Sequence, residues 1–276
     1  MRAMPTISTD AAAGQFEDPL HARIAEFIYR EAGIVLGPEK VNMMNARLAK
    51  RLIATGTANL AEYVAGIDGN RWPGETGHLV SSLTTNFTHF FRETHHFDFL
   101  RETVVPGAAA RGQNLRIWSA GCSSGQEPYS IAITARQADT RLSITATDID
   151  QTILARAADG RYSAAEIGNM APEIRNAGFQ LCEGGYEVRR QIRQMVHFSP
   201  LNLHGSWPFD QPFDAIFCRN VIIYFDSQAQ MRLWDKFRQN LRPGGWLFIG
   251  HSERIPDQLR DRLRPAGRTI YQYLPD

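Results

Sequence analysis

The sequence predicts an α/β protein: a parallel sheet with helices between its strands, a small antiparallel insert, and an all-helical part in front. Three observations carry this. Apolar residues recur at helical spacing through roughly the first 70 positions. From about residue 113, short apolar runs alternate with helical stretches, the rhythm of a parallel sheet. The first of those runs ends in a glycine turn and the next ends in an aspartate.

Residues 1–17 are small and polar and read as a disordered lead-in. Asp18-Pro19 is an N-cap followed by proline at the first helical position. Leu20, Ile24, Phe27 and Ile28 then share a face, and Gly33 stops the helix. A second helix opens at Gly37-Pro38, presents Val41, Met44, Leu48 and Leu52, and ends at Gly56; a third carries Leu60, Tyr63, Val64 and Ile67. The breaker-rich segment Asp68 to Gly74 reads as a turn or linker, with a helix around Leu79 to Leu83 bridging the parts. Leu115–Ser119, Ser143–Thr147, Phe213–Cys218 and Trp246–Ile249 read as strands, with helices over 126–137, 149–158 and 227–240. Residues 178–198 break the rhythm and suggest the antiparallel insert, with Gly184-Gly185 as its turn.

Composition narrows the function classes. At about 150 residues per domain, 276 residues make two domains. Thirty Lys and Arg against 29 Asp and Glu leave a charge of +1, so no global field draws nucleic acid or an anionic membrane. Cys122, Cys182 and Cys218 are far apart and form no C-x-x-C pair, which supports neither a disulfide framework nor a cysteine zinc site. The N-terminus has no long apolar core of a signal peptide, and no apolar run approaches the ~20 residues of a membrane span. The expectation is a cytoplasmic protein without membrane insertion.

The chemical signal lies where Ile117-Trp118 feeds Ala120-Gly-Cys-Ser-Ser-Gly125. Gly121 and Gly125 let the backbone bend sharply and approach a ligand. Asp148 closes the next strand, where a doubly wound sheet places a carboxylate beside a nucleoside ribose. Neither G-x-G-x-x-G nor G-x-x-x-x-G-K-[ST] is present, so a dinucleotide fold and a P-loop are disfavoured. A nucleoside without a pyrophosphate fits, with S-adenosylmethionine the foremost candidate. The glycines alone fit a purely structural turn equally well.

Five ordered motifs go further: SLTTNFTHFFRETHHF (82–97), AGCSSGQEPYSIA (120–132), ATDID (146–150), FDAIFCRNV (213–221), and LRPGG (241–245) with GHSE (250–253). Together they resemble the chemotaxis-receptor glutamate methyltransferases, the CheR family. The resemblance implies a Rossmann-like, S-adenosylmethionine-dependent methyltransferase domain over 86–276, with the β insert at about 178–198. Before it would come a helical receptor-docking domain at 18–70 and a linker at 71–85. It implies methyl transfer to glutamate carboxylates on the cytoplasmic helices of chemoreceptors, with S-adenosylhomocysteine as product. Asn86, Thr88, Arg92, Gly121, Glu127, Asp148, Asn202, Leu203, Arg219 and Asn220 would contact the cofactor. Gln126 stands where many relatives carry Glu.

A glutamate acceptor, with a reference pKa of about 4.3, is already an anion, so no general base is required. Positioning is the main need. Arg92 and Tyr224 are the expected catalytic residues, orienting the acceptor carboxylate; the less favoured reading of Tyr224 is a core aromatic. Arg47, Lys50 and Arg51 share a face of the second helix, which the resemblance makes a docking face for an acidic receptor; on charge pattern alone a solvated face is the plainer reading. His89, His95 and His96 lack the partner spacing of a metal site, and none is expected. Arg189, Arg190 and Arg193 read as a solvated hairpin, and the compact Cys182 to Glu187 loop argues against a receptor C-terminal peptide binding there. Trp207-Pro-Phe209 is expected to pack a loop. A monomer is expected. An S-adenosylmethionine enzyme acting on RNA or a small molecule, and a non-enzymatic cofactor sensor, are the competing readings. The first lacks a basic stripe; the second sits poorly with Asn86, Arg92, Asp148, Asn220 and Tyr224.

Overall fold

Asp18 opens the first helix, α1 (Pro19–Ala32): its carboxylate accepts from the Leu20 N–H at 2.8 Å, and Gly33 closes the helix at φ 72°. This is the start and stop read from the sequence. The computed structural model describes residues 16–112, 114–136, 141–168 and 170–275, so the expected disordered segment 1–17 falls almost wholly outside it. The chain divides into two units, the first made of the residues up to Thr84 together with Tyr224–Asp226.

In the helical unit, α1 is followed by α2 (Val41–Thr55), α3 (Leu60–Asp68) and α4 (Glu75–Leu83). Ile24, Ile28, Met44, Leu48, Tyr63 and Leu79 fill its core. The expected linker 71–85 is mostly α4, and Leu79 and Leu83 are buried. Its breaker-rich approach is a tight turn: the Arg71 N–H donates to the Gly66 carbonyl at 2.8 Å, and Trp72 stacks on Tyr63. A Cβ on Gly66 would stand 2.2 Å from the Trp72 ring, so only glycine admits this fold-back. Three residues from far along the chain complete the unit. Ile34 pairs with Phe225 in an antiparallel bridge, the Val35 N–H donates to the Tyr224 carbonyl, and the Tyr29 hydroxyl donates to Asp226 at 2.6 Å.

The second unit is built on a seven-stranded sheet of β1 (Leu115–Ala120), β2 (Leu142–Asp148), β6 (Val196–Pro200), β7 (Phe213–Cys218), β8 (Leu241–Ile249), β9 (Leu263–Gly267) and β10 (Ile270–Tyr273). The order is β6-β2-β1-β7-β8-β10-β9; the first five run parallel and β10 and β9 antiparallel. Helices Gln126–Ala135, Gln151–Asp159 and Ser227–Gln239 follow β1, β2 and β7. Phe217 and Phe248 stack at 4.1 Å in the core, and Trp207 and Phe209 pack edge-on against Trp118, as the loop reading expects. A separate three-stranded sheet, in the order β3-β5-β4, holds β3 (Arg161–Tyr162), β4 (Phe179–Cys182) and β5 (Gly185–Val188). The insert therefore draws its third strand from residue 161 and ends before 196. Residues 196–200 leave it to pair in parallel with β2, because Val196 and Phe198 continue the main sheet's apolar register. Among the described residues, no helix is long and apolar enough to cross a membrane.

Candidate active site

The chain leaves β1 toward β2 and β6 on one side and returns to β7 and β8 on the other. The carboxyl ends of β1 and β7 are thus the switch point where open α/β sheets bind ligands. Both N–H groups of Gly121 and Cys122 donate to the Thr147 carbonyl, at 2.8 and 2.9 Å, which folds the turn onto the end of β2. Gly121 sits at φ 77°, and a Cβ there would come within 2.4 Å of Val221. The turn can pass the segment after β7 only as glycine.

Asp148 lies beneath this turn. One carboxylate oxygen accepts from the Ser123 N–H at 2.8 Å and the other from the Asp150 N–H at 3.0 Å. Burial pushes its pKa up, and those two N–H donors oppose the shift. Asn86 joins from the 85–92 segment: its amide donates to Asp150 at 3.0 Å, and its carbonyl accepts from the Ser123 hydroxyl at 3.1 Å. Thr88 is half-buried in that segment. The Leu201 N–H donates to the Asp148 carbonyl, which brings Asn202 and Leu203 to the same edge. Asn202 accepts from the His204 N–H, and the Leu203 carbonyl accepts from Trp207 and Lys236. Burial lowers the Lys236 pKa to about 8.

A second cluster centres on Arg219. Its guanidinium donates to Glu127 at 3.1 Å and to the Arg92 carbonyl, and it stands 3.6 Å from Glu93. Ser119 donates to the other Glu127 oxygen at 2.7 Å. Burial raises the Glu127 pKa while Arg219 holds it back. For Glu93 burial pulls the same way, but Arg219 and His251 outweigh it and its pKa falls below the ordinary value. Glu127 and Arg219 thus neutralise each other within the fold. Arg92 contributes its carbonyl to this cluster, while its guanidinium donates to the Phe87 carbonyl at an exposed position. Asn220 has φ 60°, and its side-chain oxygen is buried with no hydrogen-bond partner among the described residues.

Models of two domains match this chain: "CheR methyltransferase, all-alpha domain" over 21–84 and "CheR methyltransferase, SAM binding domain" over 86–271. The protein belongs to the CheR methyltransferase family. It is 40% identical over 258 residues to a "Probable chemotaxis protein methyltransferase" of Rhizobium etli, covering 89% of this chain and 96% of that one. It is also 40% identical over 265 residues to the "Chemotaxis protein methyltransferase" of Escherichia coli, covering 92% and 90%. As a CheR methyltransferase it is an enzyme, and its cofactor is S-adenosylmethionine. The site fits that group: Asp148 offers a buried carboxylate, and Asn220 offers an acceptor that no donor reaches among the described residues.

Other expected residues belong to the helical unit. Tyr224 belongs to the helical unit, where Lys40 lies 5.9 Å from its ring centroid. Arg51 is no free docking cation: its Nε donates to the buried Glu75 at 2.8 Å, and Tyr63 donates to the same carboxylate. Arg47 donates to the Thr84 carbonyl at 2.6 Å. Both tie α2 to α4, and only Lys50 of the trio is exposed. Of the three histidines, His89 lies outside any helix. Glu93, His95 and His96 bring potential ligand atoms within 4.8 Å of one another, yet Arg219 already faces that Glu93. Sequence reading gave no role to Ser119, Ser123, Asp150 or Glu253, although all but Ser119 sit inside the quoted motifs.

Proposed function

We propose that this CheR methyltransferase transfers the methyl group of S-adenosylmethionine to glutamate side chains of chemoreceptors in the cytoplasm, giving glutamate methyl esters and S-adenosylhomocysteine. The observation that carries this is 40% identity, over 89% and 92% of this chain, to proteins named as chemotaxis methyltransferases. The bound cofactor supplies an electrophilic methyl group on a sulfonium.

The chain's own residues then have three tasks. Asp148 keeps lone pairs beyond its two backbone N–H bonds and accepts from the ribose hydroxyls. Asn220 accepts from a cofactor N–H at its unpartnered oxygen. Arg92 turns its guanidinium, which donates to the Phe87 carbonyl, to the acceptor carboxylate. Tyr224, four residues after Asn220 in the chain, gives a second hydrogen bond to that carboxylate. No residue need remove a proton, because the acceptor is ionised at neutral pH. Cation and anion cancel as the methyl moves, so excluding water from the reacting atoms favours the step. Lys50, with the neighbouring surface of α2, meets the acidic receptor helix.

The test uses S-adenosylmethionine labelled on its methyl group and receptor-rich membranes. Label in receptor, released by base as methanol, is the expected result. Label in RNA or in a small molecule, or tight cofactor binding with no turnover, would overturn the proposal.

A further inference from the structure

Glu253 is buried, with 3% of its surface exposed, yet it faces no cation at hydrogen-bonding distance among the described residues. Four backbone N–H groups converge on it instead. One oxygen accepts from Val221 and Ile222, each at 2.9 Å. The other accepts from Asn220 at 3.1 Å and Gly250 at 2.5 Å. Three consecutive donors come from the segment after β7, and the fourth comes from the end of β8. A carboxylate so placed fixes the path of residues 220–222.

That path is unusual at Asn220, which takes the left-handed region at φ 60°. It also lies against Gly250, where a Cβ would stand 2.7 Å from the Asn220 amide nitrogen and 2.8 Å from its backbone nitrogen. Glu253 and Gly250 therefore form one cradle, and the cradle holds an Asn220 whose side-chain oxygen has no donor among the described residues. We propose that Glu253 is a positioning residue for cofactor binding: it acts through Asn220, holding that side-chain oxygen ready for an N–H of S-adenosylmethionine or S-adenosylhomocysteine. This rests on the cofactor site described above and assigns a function to the last of the five motifs.

Glu253→Gln tests it with little change in volume. An amide presents one NH2 group, and in either orientation that group meets two of the four N–H donors. The measurement is the dissociation constant of S-adenosylhomocysteine by titration calorimetry on the full chain. About tenfold weaker binding is expected, with the KM for receptor unchanged. Asp214→Asn serves as a control for the loss of a buried carboxylate remote from Asn220. Asp214 is an equally buried carboxylate toward the opposite end of β7, where it accepts from the Arg116 N–H at 2.7 Å and pairs with Arg111 and Arg242. Its variant should leave the affinity intact. Because Glu253 acts through Asn220, Glu253→Gln should cost less than twofold further in an Asn220→Ala background.

If Glu253→Gln does not fold, Gly250→Ala displaces Asn220 with Glu253 intact and should weaken binding by a similar factor. Wild-type affinity in both variants, an equal loss in Asp214→Asn, or full additivity with Asn220→Ala would each overturn the proposal. Failure of the wild-type protein to bind S-adenosylhomocysteine would instead count against the cofactor assignment.

Discussion

Asp148 and Glu127 are carboxylates that burial holds above their ordinary pKa, and both lie at the cofactor edge of the sheet. A group whose folded pKa is raised favours the folded state below its unfolded pKa and loses that contribution as pH rises through the folded value. The ionised Asp148 carboxylate therefore disfavours the folded state at neutral pH, and hydrogen-bond donors of a bound cofactor offset that cost. S-adenosylmethionine should raise the melting temperature more at pH 8 than at pH 5, and calorimetric affinity should fall on acidification before pH reaches about 4. A flat profile would remove these carboxylates from binding. Arg92→Ala should lower kcat by about 100-fold, and Arg92→Lys should not restore it. Tyr224→Phe should cost about tenfold, the scale of one hydrogen bond to a charged group. Receptor methylation assays measure both, and unchanged turnover in either variant sinks that residue's role.

At the scale of elements, the sequence declared most helices and strands, because caps, glycine stops and apolar spacing are local signals. Asp18, Gly33 and Gly56 stand where α1 and α2 begin or end, and β1 and β7 lie within a residue of their expected limits. What stayed hidden depended on distant pairing. Residues 71–85 look like a linker until Glu75 is seen to receive Arg51 and Tyr63. Val196–Pro200 looks like part of the insert until it pairs with β2. The same limit applied at the site. Asp148 and Asn220 could be named from motifs, but the mutual neutralisation of Glu127 and Arg219 is a contact across 92 residues of chain. The Arg51–Glu75 contact yields a prediction of its own. Arg51→Ala leaves a buried carboxylate unpaired and should cost about 3 kcal/mol in urea unfolding. Burial opposes the shift at Glu75, but Arg51 and Tyr63 lower its pKa below the ordinary carboxylate value. Its stabilising contribution should therefore hold above the unfolded pKa and vanish as pH falls through the folded one, a loss that Glu75→Gln should abolish.

For the whole molecule, a net charge of +1 leaves recognition of an acidic receptor to local groups. With Arg47 and Arg51 committed to α4, Lys50 is the exposed member of that face. Lys50→Glu should raise the KM for receptor, most strongly at low salt, without shifting the melting temperature. Salt-independent kinetics would leave α2 as ordinary surface. The three-residue segment Tyr224–Asp226 bears on the order of events during synthesis. The ribosome delivers α1 to α4 early, but Ile34, Val35 and Tyr29 find their partners only after Asp226 has emerged. The helical unit must therefore wait, incompletely formed, while most of the catalytic sheet is made. Translation stalled before residue 224 should leave a protease-sensitive N-terminus, and release of the full chain should protect it.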